Sequence, residues 1–240
     1  EKVDLPKVME SVAQMDDNQL NGLMKMLGSH GAKKVLPPIE GDFYDLGSKL
    51  NAEDRALQLK VRAFMEKEIK PLVNEYWLKA EFPFQIIPMF RELNICGVTY
   101  DGYGCPNRSF LMEGIIAMEM ARVDASVATF FGVQSGLAMG SIYMLGSEEQ
   151  KQEWLPGMQQ LNLIGAFGLT EPEVGSGTAG GLTTTAKRQG DTWVLNGQKK
   201  WIGNATFADV IVIWAKDVDD SQVKGFLLRK DTPGLREKKI

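Results

Sequence analysis

Two segments hold the residues best suited to chemistry. Phe167-Gly-Leu-Thr-Glu-Pro-Glu-Val-Gly-Ser-Gly177 is glycine-rich and closes an apolar run, and Trp201-Ile-Gly-Asn204 follows the pair Lys199-Lys200. A loop with glycines at 175, 177 and 180 can turn several bare backbone N–H groups toward a phosphate and form an anion-binding nest. A tryptophan at the end of a strand can wall one side of a planar ring. A pyrophosphate cradle and an aromatic wall are what a flavin dinucleotide requires. A flexible glycine loop and a core tryptophan explain the same residues without a ligand, and local physics leaves both readings open.

Gly175-Ser-Gly-Thr-Ala-Gly180 also fits the pattern G-x-G-x-x-G. That pattern marks a dinucleotide fold only after a strand, before a helix, and with an acid about twenty residues on. Here Leu182-Thr-Thr-Thr-Ala-Lys-Arg-Gln189 is β-branched, and Lys199-Lys200 stand where the acid belongs. A Rossmann fold is excluded.

Composition removes other classes. The 27 Lys+Arg against 31 Asp+Glu make the chain mildly acidic, with no basic stripe, so a nucleic-acid partner is not expected. His30 is the single histidine, in a Gly/Ser/Lys-rich connector, so neither a His-based triad nor a multi-histidine metal site can be assembled. Cys96 lies among apolar neighbours and reads as core, and Cys105 sits in a Gly-Tyr-Gly-Cys-Pro loop; they form no disulfide framework. No signal-peptide pattern opens the chain, and no membrane span is expected from its apolar runs.

Periodicity gives the elements that must position the two segments. Residues 4–27 have roughly helical spacing with a polar break at Asp16-Asp17-Asn18, which predicts two short helices, and Pro37-Pro38 marks a boundary. Asn51 with Asp54 opens a helix ending near Pro71. Further helices are expected over 85–93, 110–123 and 126–145, and Ser147-Glu-Glu-Gln150 is a capping box starting another. After Asn162 the period becomes strand-like: Leu163–Leu169, then Leu182–Gln189 and Thr192–Asn196 around Gly190-Asp191. Gln198–Ile202, Val210–Ala215 and Gly225–Leu228 follow. Helices followed by antiparallel strands predict an α+β chain: an extension and linker (1–41), an all-α domain (42–161) and an antiparallel, barrel-like β-domain (162–240).

Leu169-Thr-Glu-Pro-x-x-Gly-Ser176 and Asn196-Gly-Gln-Lys-x-Trp-Ile202 together resemble the flavin-binding segments of the acyl-CoA dehydrogenase and oxidase superfamily. Gly102-Tyr-Gly-Cys105, Arg122-Val-Asp124 and Gly146-Ser-Glu-Glu-Gln-Lys151 extend the likeness over 42–240. It is nearest to the glutaryl-CoA dehydrogenase and plant short-chain acyl-CoA oxidase branch. The resemblance implies FAD as cofactor, bound by Phe167, Gly168, Leu169, Thr170, Gly175, Ser176, Trp201, Ile202 and Gly203. Thr170 would meet the flavin pyrimidine edge, Gly175 and Ser176 the pyrophosphate, and Trp201 to Gly203 the isoalloxazine ring. Ser176 would also touch the acyl-CoA thioester arm.

The implied reaction is α,β-dehydrogenation of a fatty or branched acyl-CoA to the trans-2-enoyl-CoA, as in fatty acid β-oxidation. Electrons would pass to an electron-transfer flavoprotein or to oxygen, in a homotetramer. The location would be intracellular: cytoplasmic in a bacterium, mitochondrial or peroxisomal in a eukaryote. The family's base is a glutamate in a Tyr-Glu-Gly sequence of a C-terminal helical domain. No such sequence occurs here, so no catalytic residue is expected in the chain, the base is expected beyond Ile240, and the chain is expected to be a fragment, inactive alone. Three positions depart from the pattern. Gly177 stands for an aspartate, which predicts a looser loop. Gly203 stands for the threonine of the dehydrogenases, as in the oxidase pattern. Ala128 stands for the arginine that holds a distal carboxylate, which disfavours a dicarboxylyl substrate. A truncated relative serving only as a binding module is the other reading.

Overall fold

The computed structural model describes residues 15, 16, 18, 19, 22, 41–175, 177 and 181–239. Residues Glu1–Gly41 and Asp42–Ile240 form two separate compact units. In the first, the Asp16 carboxylate accepts from the Gln19 amide (2.8 Å) and the Gln19 side chain accepts from the Asp16 amide (3.1 Å). This reciprocal cap starts a helix next to the polar break. The rest of the two-helix expectation for 4–27 lies outside the described residues.

In the second unit Asn51 opens α1 (Ala52–Phe64) by accepting from the Asp54 amide at 2.8 Å, which satisfies an orphan N–H of the first turn. The helix does not end near Pro71. It passes through a π-helical turn (Met65–Ile69) and runs on as α2 (Lys70–Lys79). Pro71 has no N–H to give, and widening the preceding turn accommodates it without a break. Next come α3 (Ile86–Arg91), α4 (Phe110–Ala121), α5 (Ala125–Gly132), α6 (Met139–Leu145) and α7 (Glu148–Gln159). Ser109, Asp124 and Ser147 cap α4, α5 and α7, the last in a full capping box with Gln150.

A second π turn (Val133–Ala138) joins α5 to α6, so 125–145 is one continuous helix. By length and composition it could cross a membrane, but half of its most apolar window is buried within the unit. Its polar Gln134 is also buried, donating to the Met158 and Leu163 carbonyls at 3.0 Å and accepting from the Gly165 amide at 2.6 Å. It is a core helix that also holds the first strand in place. Its own Met139 and the surrounding Met65, Ile69, Phe90, Met112 and Ile115 are buried in one core cluster, so these methionines are packing residues. Between α1 and α4 the buried Glu119 accepts from Gln58, Arg62 and Arg122 at 2.8–3.4 Å.

The strands are β1 (Gly165–Gly168), β2 (Thr185–Gln189), β3 (Thr192–Asn196), β4 (Val210–Asp217) and β5 (Val223–Arg229). The expected hairpin β2–β3 forms through Gly190, whose φ is 62°, and β4 and β5 also pair antiparallel. The sheet as a whole is neither antiparallel nor a closed barrel. β4 pairs in parallel with β1 (Gly165↔Val210 to Gly168↔Ile213) and with β2 (Thr185↔Lys216, Ala186↔Asp217), and antiparallel with β5. The reason lies in β4, whose Val-Ile-Val-Ile run is buried on both faces. A strand of that kind is central and takes neighbours on both edges. Val210 and Val212 face the helical core with Phe167, while Ile211, Ile213, Ala166 and Ala208 form a smaller core on the other face. The segment 198–202, expected as a strand, is irregular and runs beside Thr170 instead.

Candidate functional site

At Gly168 the chain leaves β1, and Leu169-Thr170-Glu171 meets the irregular segment after β3. The Lys200 amide donates to the Thr170 carbonyl at 2.9 Å, and Lys199 Nζ donates to the Leu169 carbonyl at 2.9 Å. The two motifs, distant in sequence, are thus laced side by side. Leu169 and the Thr170 side chain stay partly exposed, and the Thr170 hydroxyl has no partner among the described residues. Phe167 is half-buried, its ring 5.9 Å from that of Trp214.

Glu171 lies beneath this edge with its carboxylate out of solvent. It accepts from the Thr183 amide (2.6 Å), the Thr183 hydroxyl (2.6 Å), the Thr184 amide (2.9 Å) and Lys199 Nζ (2.8 Å). Burial by itself would raise its pKa, but the bonds from Lys199, Thr183 and Thr184 outweigh burial and hold the carboxyl far below the ordinary range. Burial pulls the Lys199 ammonium down, and Glu171 offsets only part of that. A carboxylate so saturated with donors cannot serve as a base. Glu173 is exposed.

Trp201 is a non-glycine residue at φ 60°, and its side chain is 68% exposed. Left-handed backbone and an unburied indole are both unfavourable alone. Lys200 Nζ lies 4.7 Å from the ring centroid, which occupies one face and leaves the other to a planar ligand. Ile202 packs against the smaller core. Gly203 is exposed, and a Cβ there would meet only Val133 Cγ2, at 3.2 Å. Asn204, at φ 66° and buried, donates from Nδ2 to the Phe130 and Gly165 carbonyls at 3.2 Å. Phe207 then stacks on Phe82 at 4.9 Å and closes the turn.

In the glycine loop Gly175 is exposed, and Ser176 lies outside the described residues. Gly177 is buried rather than loose. Its carbonyl accepts from the Gly181 amide at 2.8 Å, and an added Cβ would stand 2.1 Å from Val174 Cγ1. Burial pushes the Cys96 thiol up to about 12 and Cys105 to about 11, so both are poor nucleophiles at neutral pH.

The structure therefore brings Phe167 to Thr170 together with Trp201 to Gly203, while Ser176 is left undescribed. Sequence reasoning gave no role to Glu171, Lys199, Asn204 or Phe207, which hold the site from behind. Opposite charges in the two motifs were the available signal for Glu171 and Lys199. Nothing local announced Phe207, because its partner Phe82 comes from a distant loop.

The arrangement offers an exposed aromatic face, an unengaged hydroxyl and bare glycine backbone along one border. The acyl-CoA dehydrogenase N-terminal domain family matches residues 51–162, and the acyl-CoA dehydrogenase middle domain family matches 166–240. The fold is similar to that of a glutaryl-CoA dehydrogenase from Mycobacterium smegmatis solved in complex with FADH2. The TM-score is 0.77 at 39% identity, over 82% of this chain and 50% of that one. Among curated relatives, the mitochondrial short-chain specific acyl-CoA dehydrogenase of Mus musculus is 34% identical over 183 residues, 75% of this chain and 44% of that protein. An acyl-CoA dehydrogenase of Bacillus subtilis (strain 168) is 32% identical over 190 residues, 76% of this chain and 49% of that protein. The chain spans about half the length of the curated relatives it matches. With both domain families matched in order along the chain, it belongs to the acyl-CoA dehydrogenase family.

Proposed function

We propose that the chain binds FAD through Phe167 to Thr170, Gly175 and Trp201 to Gly203, with Ser176 at the pyrophosphate as the resemblance implies. There it serves α,β-dehydrogenation of a fatty or branched acyl-CoA to the trans-2-enoyl-CoA. The observation that carries this reading is the Lys200–Thr170 backbone bond, which ties Thr170, with its unengaged hydroxyl, to the residue before the exposed Trp201. The residues fit the group. Trp201 offers one free face to a tricyclic ring, the Thr170 hydroxyl can donate to its pyrimidine edge, and the exposed Gly175 backbone can approach a pyrophosphate. FAD, when bound, supplies the acceptor for the β-hydrogen as hydride.

The chain's own residues do the rest of the work on this side of the site. Trp201 and Phe167 exclude water, and Thr170 directs a donor to where negative charge collects on reduction. Glu171 is committed to its four donors and is not the carboxylate that removes the α-proton; the resemblance to the family implies a glutamate of a C-terminal helical domain in that role. Ala128 sits on α5 without a charge to hold a second carboxylate, which favours a monocarboxylic acyl group. Electrons pass to an electron-transfer flavoprotein. A second reading, transfer to oxygen, is favoured by Gly203, where nothing beyond Val133 fills the space a threonine would take. The assembly proposed is a homotetramer.

Equilibrium dialysis against FAD tests the binding step. Saturation at one FAD per chain, weakened by Trp201→Ala, is expected; no uptake by the wild-type protein contradicts the proposal.

A further inference from the structure

Resting on that reading, we infer that Glu171, with Lys199, is the positioning junction of the flavin site. One buried carboxylate fixes the Leu169–Thr170 edge, the neck of the glycine loop and the Trp201 wall relative to one another.

The contacts divide into three directions. Toward the edge, Glu171 precedes no free span: Thr170 is its chain neighbour, and Lys199, bound to Glu171 Oε1 at 2.8 Å, also holds the Leu169 carbonyl at 2.9 Å. Toward the loop, Oε2 takes the Thr183 amide and hydroxyl, and Oε1 takes the Thr184 amide. These bonds close the base of the segment 172–182, in which the glycines lie. Toward the wall, Lys199 is two residues before Trp201, and the intervening Lys200 is itself tied to Thr170. Displacing Glu171 would release all three segments at once.

An ordinary stabilising role does not account for this arrangement. A buried ion pair is weak support for stability, because apolar residues of similar volume usually do as well. An apolar pair, however, could not hold the Leu169 carbonyl or the Thr183 and Thr184 amides. What is specific to Glu171 and Lys199 is direction, and direction is what a bound ring requires of Thr170. The negative charge of a reduced flavin makes its edge the more demanding partner. Loosening Thr170 therefore weakens the reduced form more than the oxidised one.

The test uses the full-length protein with FAD. The double substitution Glu171→Gln with Lys199→Met leaves no unpaired buried charge, while Lys199→Arg keeps the charge and moves its donors. The double variant is expected to melt near the wild-type temperature with a changed flavin absorbance spectrum. Its affinity for reduced FAD should fall about tenfold more than for oxidised FAD, a midpoint potential about 30 mV more negative for a two-electron couple. Lys199→Arg should shift in the same direction by less. A wild-type spectrum and potential in both variants overturns the inference. Wild-type values in Lys199→Arg overturn it equally if the double variant does not fold. A wild-type protein that takes up no FAD overturns the functional reading and this inference together; flavin binding with unmoved variants overturns this inference alone.

Discussion

Asn204 Nδ2 lies 3.2 Å from the carbonyl oxygens of both Phe130, on α5, and Gly165, at the start of β1. One amide thereby joins the helical layer, the sheet and the turn carrying Trp201. Asn204→Ala should destabilise the protein by about 2–3 kcal/mol, through the loss of two hydrogen bonds to buried carbonyls and an alanine at φ 66°. Asn204→Gly removes the strain but not the loss of bonds, so denaturant unfolding should place it between the two.

Glu119 is the corresponding junction within the helices. Its carboxylate is fully buried, and the bonds from Arg62 and Gln58 outweigh the effect of burial and lower its pKa. Glu119→Ala leaves Arg62 and Arg122 without that partner and should cost about 3 kcal/mol, read from the urea midpoint. An unchanged midpoint would show that Glu66, which also pairs with Arg122 at 2.9 Å, carries the network instead.

The acid limb of stability should belong largely to Glu171. Its folded-state pKa is depressed below the unfolded value, so at acid pH the native state binds fewer protons than the unfolded chain. The stabilisation is complete above the unfolded carboxylate value, about 4.3, and is lost as pH drops from there toward the folded value. Melting temperatures measured from pH 6 downward should fall less steeply in Glu171→Gln/Lys199→Met than in the wild type, with pH 6 as an order-of-magnitude starting point about two units above the carboxylate range.

Gly203 and Gly177 should differ in how well they tolerate restoration of the usual family residue. At Gly203 a Cβ meets only Val133 Cγ2, at 3.2 Å, so Gly203→Thr should fold with a loss under about 1 kcal/mol. If oxygen enters there, the variant should reoxidise more slowly in air. At Gly177 a Cβ would come within 2.1 Å of Val174 Cγ1, so Gly177→Asp should cost about 1–3 kcal/mol by differential scanning calorimetry.

Short-range features were legible in the sequence. Asn51, Ser147 and Gly190 each set a local geometry through their own bonds, and the elements they predict are present. Pro71 misled, because a π turn is a response to crowding that residue types do not encode. The parallel pairing of β1 with β4 was invisible for a related reason: hairpin signals report neighbours in sequence, whereas this pairing depends on the double-sided burial of Val210 to Ile213. At the candidate site, Leu169, Thr170 and Trp201 to Gly203 stood in recognisable motifs. Glu171 and Lys199 stood within those motifs and Phe207 outside them, but the role of each was hidden, since all three act through partners that folding brings near.

The most direct test of the central claim is anaerobic absorbance titration of the full-length FAD-loaded protein with a panel of saturated acyl-CoA thioesters. Bleaching of the flavin band with appearance of the trans-2-enoyl-CoA is expected, strongest for monocarboxylic chains. Stably bound FAD that none of these thioesters bleaches would contradict it.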